Sequence, residues 1–234
     1  MEEHRMDSKI QIYDELEQGT DEWRLARCGL LTASAVCKIM TPAKLKFSQN
    51  DACRTHAYDV ASERITKFCP DHFMTFAMAR GHEEEIYARD LYDVEYAKVR
   101  EVGFVTNSTW GFTIGYSPDG LVGEDGLIEI KSRASKYQAR TIIEKKIPME
   151  FMLQLQTGML VSNRKWCDFI SYSNGMPMFV MRAERDEEMC NAIIDAAASF
   201  EAAVNQHVAT FLDNVAELNL RPTERRQDIE DIIV

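Results

Sequence analysis

The sequence predicts an α/β domain, and three observations carry that assignment. Short β-favouring runs, broken by turn residues, lie between residues 98 and 132. Segments with helical periodicity flank them on both sides. A second apolar pair, 166–172 and 176–183, closes on Ser173-Asn174-Gly175 and leads into a long Ala-rich stretch. With 234 residues and 45% apolar content, the chain is long enough for one substantial core or two small ones.

Taken in order, residues 9–40 predict an entry segment and a short helix. Gln18-Gly19-Thr20 interrupts the chain, Thr20 is the N-cap, Asp21–Arg27 is the helix and Gly29 ends it. Thr32 or Ser34 starts the next helical piece, Ala33–Met40. Residues 50–68 predict an amphipathic helix with Ala52, His56, Val60 and Ile65 on one side. Cys69–Phe73 is a loop and Thr75–Ala79 a short apolar stretch, so that a further helix begins at Glu83 and runs to Asp93. Its three leading glutamates suit the positive end of a helix dipole. Strands follow near Lys98–Thr106, Trp110–Tyr116 and Leu127–Ser132, with short connections that favour antiparallel pairing. Residues 134–146 are a polar, basic helix. Residues 149–163 are another, with Phe151, Met152, Leu155, Met159 and Leu160 on one face and Gln154 and Gln156 set within that apolar surface. A long helix spans Asp186–Leu218 and stops before Pro222. Residues 1–218 are taken as one domain and 219–234 as a tail.

The chemistry concentrates in Ser117–Lys131, SPDGLVGEDGLIEIK. Alternation along a strand puts Glu129 and Lys131 on one face and Ile128 and Ile130 on the other. The turn formers Gly123–Gly126 fold the chain back and bring Asp119 beside Glu129. Two carboxylates and an ammonium then converge. Mg²⁺ takes one or two carboxylates together with waters and substrate phosphate, so Asp119, Glu129 and the Ile130 carbonyl are candidate ligands. Lys131 is placed to act on an attacking water or to neutralise developing charge. The plainer alternative is a surface hairpin with a salt-bridged Glu–Lys pair. Arg27 and Ser34 flank a turn at a helix start and form a candidate anion site; a surface Arg beside an ordinary Ser cap fits the same residues. Glu85 is a candidate to reach the metal site, and Met78 lies in an apolar stretch.

The net charge of −11 argues against a protein that coats nucleic acid electrostatically, but not against a nuclease with a confined basic channel. Basic groups do cluster, at Lys44 and Lys46, at Arg133, Lys136, Arg140, Lys145 and Lys146, and at Arg221, Arg225 and Arg226; each is equally readable as a solvated face. No run is long and apolar enough to span a membrane, and the charged N-terminus is not a secretory signal. Six scattered cysteines without a C-x-x-C pair suggest reduced thiols in a cytosol rather than a zinc or iron–sulfur frame.

The motifs together resemble a known family. SPDG followed by Glu129-Ile130-Lys131 is similar to the PD-(D/E)XK nuclease signature. Glu17–Ser34, Gly81–Glu85 and Gln154-Leu155-Gln156 resemble motifs of phage lambda exonuclease and related viral recombinases, in the same order. The resemblance implies a restriction-endonuclease-like fold, a central mixed β-sheet flanked by helices. It implies Mg²⁺ on Asp119, Glu129 and the Ile130 carbonyl, with Mn²⁺ as a substitute, and Lys131 acting on the nucleophilic water. Glu85 and Gln154 would hold a second metal or position water. Arg27, Ser34 and Ser117 would bind the 5′-phosphate, and Met78 would be the wedge that opens the duplex end. The implied activity is 5′→3′ digestion of linear double-stranded DNA in a cytoplasmic phage or prophage setting. The implied partners are DNA ends, a single-strand annealing protein and two further copies in a homotrimeric ring. Two other readings compete: a PD-(D/E)XK endonuclease or repair nuclease, and a non-catalytic binding scaffold. The presence of Asp119, Glu129 and Lys131 together argues against the last.

Overall fold

The computed structural model describes residues 9–70 and 76–225. Among them nine strands form two sheets, both mixed, with helices packed on their faces. The α/β class therefore holds, with the strands shared between two sheets.

The first sheet has the order β1-β4-β5-β2, built from β1 (Ile10–Tyr13), β4 (Phe104–Asn107), β5 (Ile114–Tyr116) and β2 (Leu31–Thr32). β1 and β5 run antiparallel to β4, and β2 runs parallel to β5. The second sheet has the order β3-β6-β7-β8-β9: β3 (Val99–Arg100), β6 (Gly120–Val122), β7 (Gly126–Ser132), β8 (Trp166–Tyr172) and β9 (Phe179–Glu184). The expected single strand over Lys98–Thr106 is two strands, one in each sheet; between them Gly103 sits against the Leu16 backbone, where a Cβ would lie 1.9 Å from its carbonyl oxygen. Short connections do give antiparallel pairs at β4–β5, β6–β7 and β8–β9. β7 and β8 are parallel, joined through α5 (Ser135–Glu144) and α6 (Met149–Ser162), as a parallel pair requires a crossover.

β7 is the central strand, and both of its faces are covered. Ile128 and Ile130 pack with Ile170 beneath Ala88 and Tyr92 of α4 (Phe76–Glu95). Leu127 faces the larger core, which holds α6. α6 is buried from Leu153 through Val161 except at Gln154, a nearly all-round burial beyond the single apolar face expected. Gly158 lets α6 approach β5: a Cβ there would meet the Tyr116 ring at 2.8 Å.

Of the other helices, α1 (Asp21–Arg27) is capped by the Thr20 side chain, which accepts from the Trp23 N–H, and Gly29 follows at φ 73°. A 3₁₀ turn (Ala33–Ala35) and α2 (Val36–Ile39) come next. α3 (Asp51–Thr66) is capped by Asn50 and buries Cys53, Ala57, Val60 and Ala61. Its buried face is thus shifted from the one expected: Val60 is buried as expected and His56 stacks on Phe200 of α7 (Glu187–Glu217), but Ala52 is exposed and Cys53, Ala57 and Ala61 turn inward. α4 does not start at Glu83. It passes through Gly81, where a helix-interior glycine costs about 1 kcal/mol and the packing of Ala88 and Tyr92 outweighs it. α7, capped by Asp186, packs along α3 and α6.

Candidate active site

β6 and β7 form a hairpin whose register pairs Gly120 with Ile128. One residue before β6, Asp119 accepts the Ile130 N–H at 2.5 Å. The N–H and C=O of one strand residue point to the same edge, so the Ile130 carbonyl is directed toward Asp119. Glu129 stands on the opposite face from Ile128 and Ile130, and is only 1% exposed.

A carboxylate buried this deeply needs partners. Glu129 has three: the Tyr116 hydroxyl donates at 2.9 Å, the Lys131 ammonium at 2.7 Å, and the Gln154 amide donates to the same oxygen as Lys131. The two glutamines of α6 therefore divide their roles. Gln154 turns to Glu129, whereas Gln156 donates to the Glu184 carbonyl and accepts from the Asp186 N–H, fixing the entry to α7.

Electrostatics follow from this crowding. Burial pushes the Asp119 carboxyl well above the usual carboxylate range, and the Glu129 and Glu85 charges push it further. Burial pulls the Lys131 ammonium down, but Glu129 and Asp119 outweigh it and leave it raised. Lys131 is thus a firmly held ammonium. The Tyr116 hydroxyl is pushed well up by burial and by Glu129, so it stays a donor.

Glu85, on α4, lines the same cavity of about 470 Å³ as Asp119, together with His82, Arg89 and Gln18. Its carboxylate is held by Arg89 at 2.6 Å. Its neighbour Glu84 is the buried one, taking the Ser132 hydroxyl. Among the described residues no group of three or more His, Cys, Asp or Glu side chains has the geometry of a metal cage. Two carboxylates and a carbonyl nevertheless suit Mg²⁺, which completes its shell with water and phosphate oxygens. The mutual repulsion of Asp119 and Glu129 is what a divalent cation relieves.

Beside this lies a second cavity of about 360 Å³, lined by Trp23, Arg27, Thr32, Ser34 and Lys38 among others. Arg27 donates to the Ser117 hydroxyl at 2.7 Å and stacks over Trp23 at 4.2 Å. Trp23 donates to the same hydroxyl at 3.0 Å. Burial lowers the Arg27 guanidinium from its ordinary value. Ser34 is exposed in this pocket, and its hydroxyl lies 3.3 Å from that of Thr32. Arg27, Ser34 and Ser117 are thus brought together, and Ser117 stands two residues before Asp119. Met78 stands on the first turn of α4; its side chain lies outside the described residues.

Sequence reasoning missed Tyr116, Trp23, Gln18, His82 and Lys38. Gln18, Trp23 and His82 lay inside the quoted motifs without a role. Tyr116 had only its place at a strand end as a signal. Gln18 donates to the Pro118 carbonyl at 2.9 Å and the Val102 carbonyl at 3.5 Å, which ties the entry loop to the peptide preceding Asp119.

Two carboxylates and a lysine gathered on and beside the central strand, next to a pocket that holds an arginine, have the makings of a nuclease-type centre. A family model, the YqaJ-like viral recombinase domain, matches residues 22–165. The alkaline exonuclease of Laribacter hongkongensis is 33% identical, with a TM-score of 0.75, over 85% of this chain and 100% of that one. The same enzyme in complex with dAMP matches over the same shares at TM-score 0.76. A phage-related exonuclease from Haemophilus somnus 129PT, 14% identical over 78% of this chain and 96% of that chain, shares the fold at TM-score 0.57. No curated protein matches the chain. The chain belongs to the YqaJ-like viral recombinase family, and with it to the alkaline exonuclease class of DNA nucleases.

Proposed function

We propose that the protein is a Mg²⁺-dependent 5′→3′ exonuclease on linear double-stranded DNA. It releases 5′-mononucleotides and leaves a 3′ single strand for recombination by strand annealing. The observation that carries this reading is the adjacency of the two cavities: Arg27 is bonded to Ser117, two residues from Asp119. A terminal 5′-phosphate in the Arg27 pocket sets the next phosphodiester against the carboxylates.

Asp119, Glu129 and the Ile130 carbonyl would hold Mg²⁺, which supplies a more acidic water and neutralises phosphate charge. Lys131 steadies Glu129 and presents its ammonium to the phosphate oxygens or the attacking water. Gln154 and Tyr116 keep Glu129 in its rotamer. Glu85, held by Arg89, positions water on the Asp119 side. Mn²⁺ substitutes for Mg²⁺. Met78 serves as the wedge at the duplex end.

The partners follow from the same reading. A homotrimeric ring around DNA reconciles a net charge of −11 with continuous digestion, because topology keeps the enzyme on its track. A single-strand annealing protein receives the 3′ strand, in the cytoplasm of a bacterium carrying the phage or prophage. Among the described residues no helix is long and apolar enough to cross a membrane.

Digestion of linear 5′-phosphorylated duplex, linear 5′-hydroxyl duplex and closed circular duplex, with Mg²⁺ or EDTA, tests the reading. Mg²⁺-dependent loss of the linear 5′-phosphorylated DNA is expected. Cutting of the circle would replace the exonuclease by an endonuclease, and no cutting at all would leave a binding scaffold.

A further inference from the structure

Among the described residues, Gln18 and His82 line both cavities. Gln18 directs both N–H groups of its amide to backbone carbonyls, of Pro118 and Val102. It retains only an acceptor oxygen, which does not suit a phosphate. His82 is exposed and has no hydrogen bond among the described residues. An imidazole carries an N–H donor even when neutral. Arg89, the basic side chain that lines the carboxylate cavity with His82, is held by Glu85 and Glu101.

His82 also has the right place along the helix. It precedes Glu85 by three residues, so the two share a face of α4. Three residues advance a helix by about 4.5 Å, so His82 and Glu85 lie side by side along α4. With Glu85 beside Asp119 in the carboxylate cavity, His82 lies where that cavity meets the Arg27 pocket.

We propose that His82 is a substrate-binding residue that donates a hydrogen bond to the 5′-phosphate of the terminal nucleotide, from where the two cavities meet. The inference rests on the exonuclease reading and deepens it. Arg27 and His82 together clamp the phosphate of the departing mononucleotide, so the same residue holds the substrate end and the 5′-mononucleotide product.

The test is equilibrium binding of dAMP to the intact protein in EDTA, with deoxyadenosine as control, for wild type, His82→Ala, His82→Gln and Arg27→Ala. Circular dichroism checks that each variant is folded. A hydrogen bond to a charged group predicts about tenfold weaker dAMP binding for His82→Ala. Partial recovery is expected in His82→Gln, whose amide also donates. On DNA, His82→Ala raises KM for 5′-phosphorylated ends and leaves kcat and 5′-hydroxyl ends nearly unchanged. Wild-type dAMP affinity in His82→Ala, with weakened binding in Arg27→Ala, would overturn the His82 assignment alone. Unchanged affinity in Arg27→Ala, or no dAMP binding by wild type, would remove the phosphate pocket and His82 with it.

Discussion

Replacing Arg27 by Ala separates the end pocket from the chemistry. Among the described residues the Arg27 side chain donates one hydrogen bond, to Ser117 at 2.7 Å, and stacks on Trp23 at 4.2 Å. Losing both costs about 1–2 kcal/mol of stability, which leaves a folded protein. The loss on substrate is larger. A guanidinium meeting a phosphate forms charge-assisted bonds, and removing them costs about 3 kcal/mol, roughly a hundredfold in kcat/KM. Arg27→Lys keeps the charge but not the fork and falls between. The assay is the initial rate on duplexes that differ only in a 5′-phosphate or 5′-hydroxyl. The hundredfold loss is expected on the phosphorylated end, with little change on the hydroxyl end. Equal losses on both ends would refute the assignment of Arg27 to the phosphate.

Three further outcomes follow from the same geometry. Asp119→Asn raises the melting temperature of the metal-free protein at neutral pH while abolishing digestion. Burial, Glu129 and Glu85 raise the Asp119 carboxyl, so the folded state binds the extra proton and stability falls as pH rises through the raised value; an unchanged or lower melting temperature contradicts this. His56, stacked on Phe200 and facing Lys38 and Asp59, is pulled down to about 4 by burial and then by Lys38. The unfolded chain therefore gains a proton first, and up to about 3 kcal/mol of stability is lost as pH falls from about 6.5 through 4. His56→Gln should flatten urea-midpoint curves in that window. Gly158→Ala gains about 1 kcal/mol of helix propensity, but its Cβ meets the Tyr116 ring at 2.8 Å and displaces the hydroxyl from Glu129. Overpacking costs about 1–3 kcal/mol, so lower stability with lower activity is expected, and a more stable, fully active variant would refute the contact.

The site was legible where chemistry and periodicity coincide. Alternation placed Glu129 and Lys131 opposite Ile128 and Ile130, and the turn at Gly123–Gly126 returned Asp119 to the Ile130 N–H. The Thr20 cap marked α1, and the Ala-rich run ending before Pro222 marked the long α7. Long-range contacts were not legible. Nothing local to Tyr116 or Gln154 says that both end on one carboxylate, since that depends on α6 crossing β5 at Gly158. Local rules also failed where packing overrode them: Gly81 does not stop α4, and α3 buries Cys53, Ala57 and Ala61 beside Val60 where Ala52, His56 and Ile65 were expected with it. The expected strand over Lys98–Thr106 divides between two sheets, and the close contact of Gly103 with Leu16, far away in sequence, has no local signal.

The most direct test of the account is the polarity of digestion on a linear duplex labelled at the 5′ or the 3′ end of one strand, run with Mg²⁺ and with EDTA, for wild type and Lys131→Ala. The account predicts that wild type frees the 5′ label first, as a mononucleotide and only with Mg²⁺, while Lys131→Ala frees almost none. Release of the 3′ label first, digestion persisting in EDTA, or an active Lys131→Ala would contradict it.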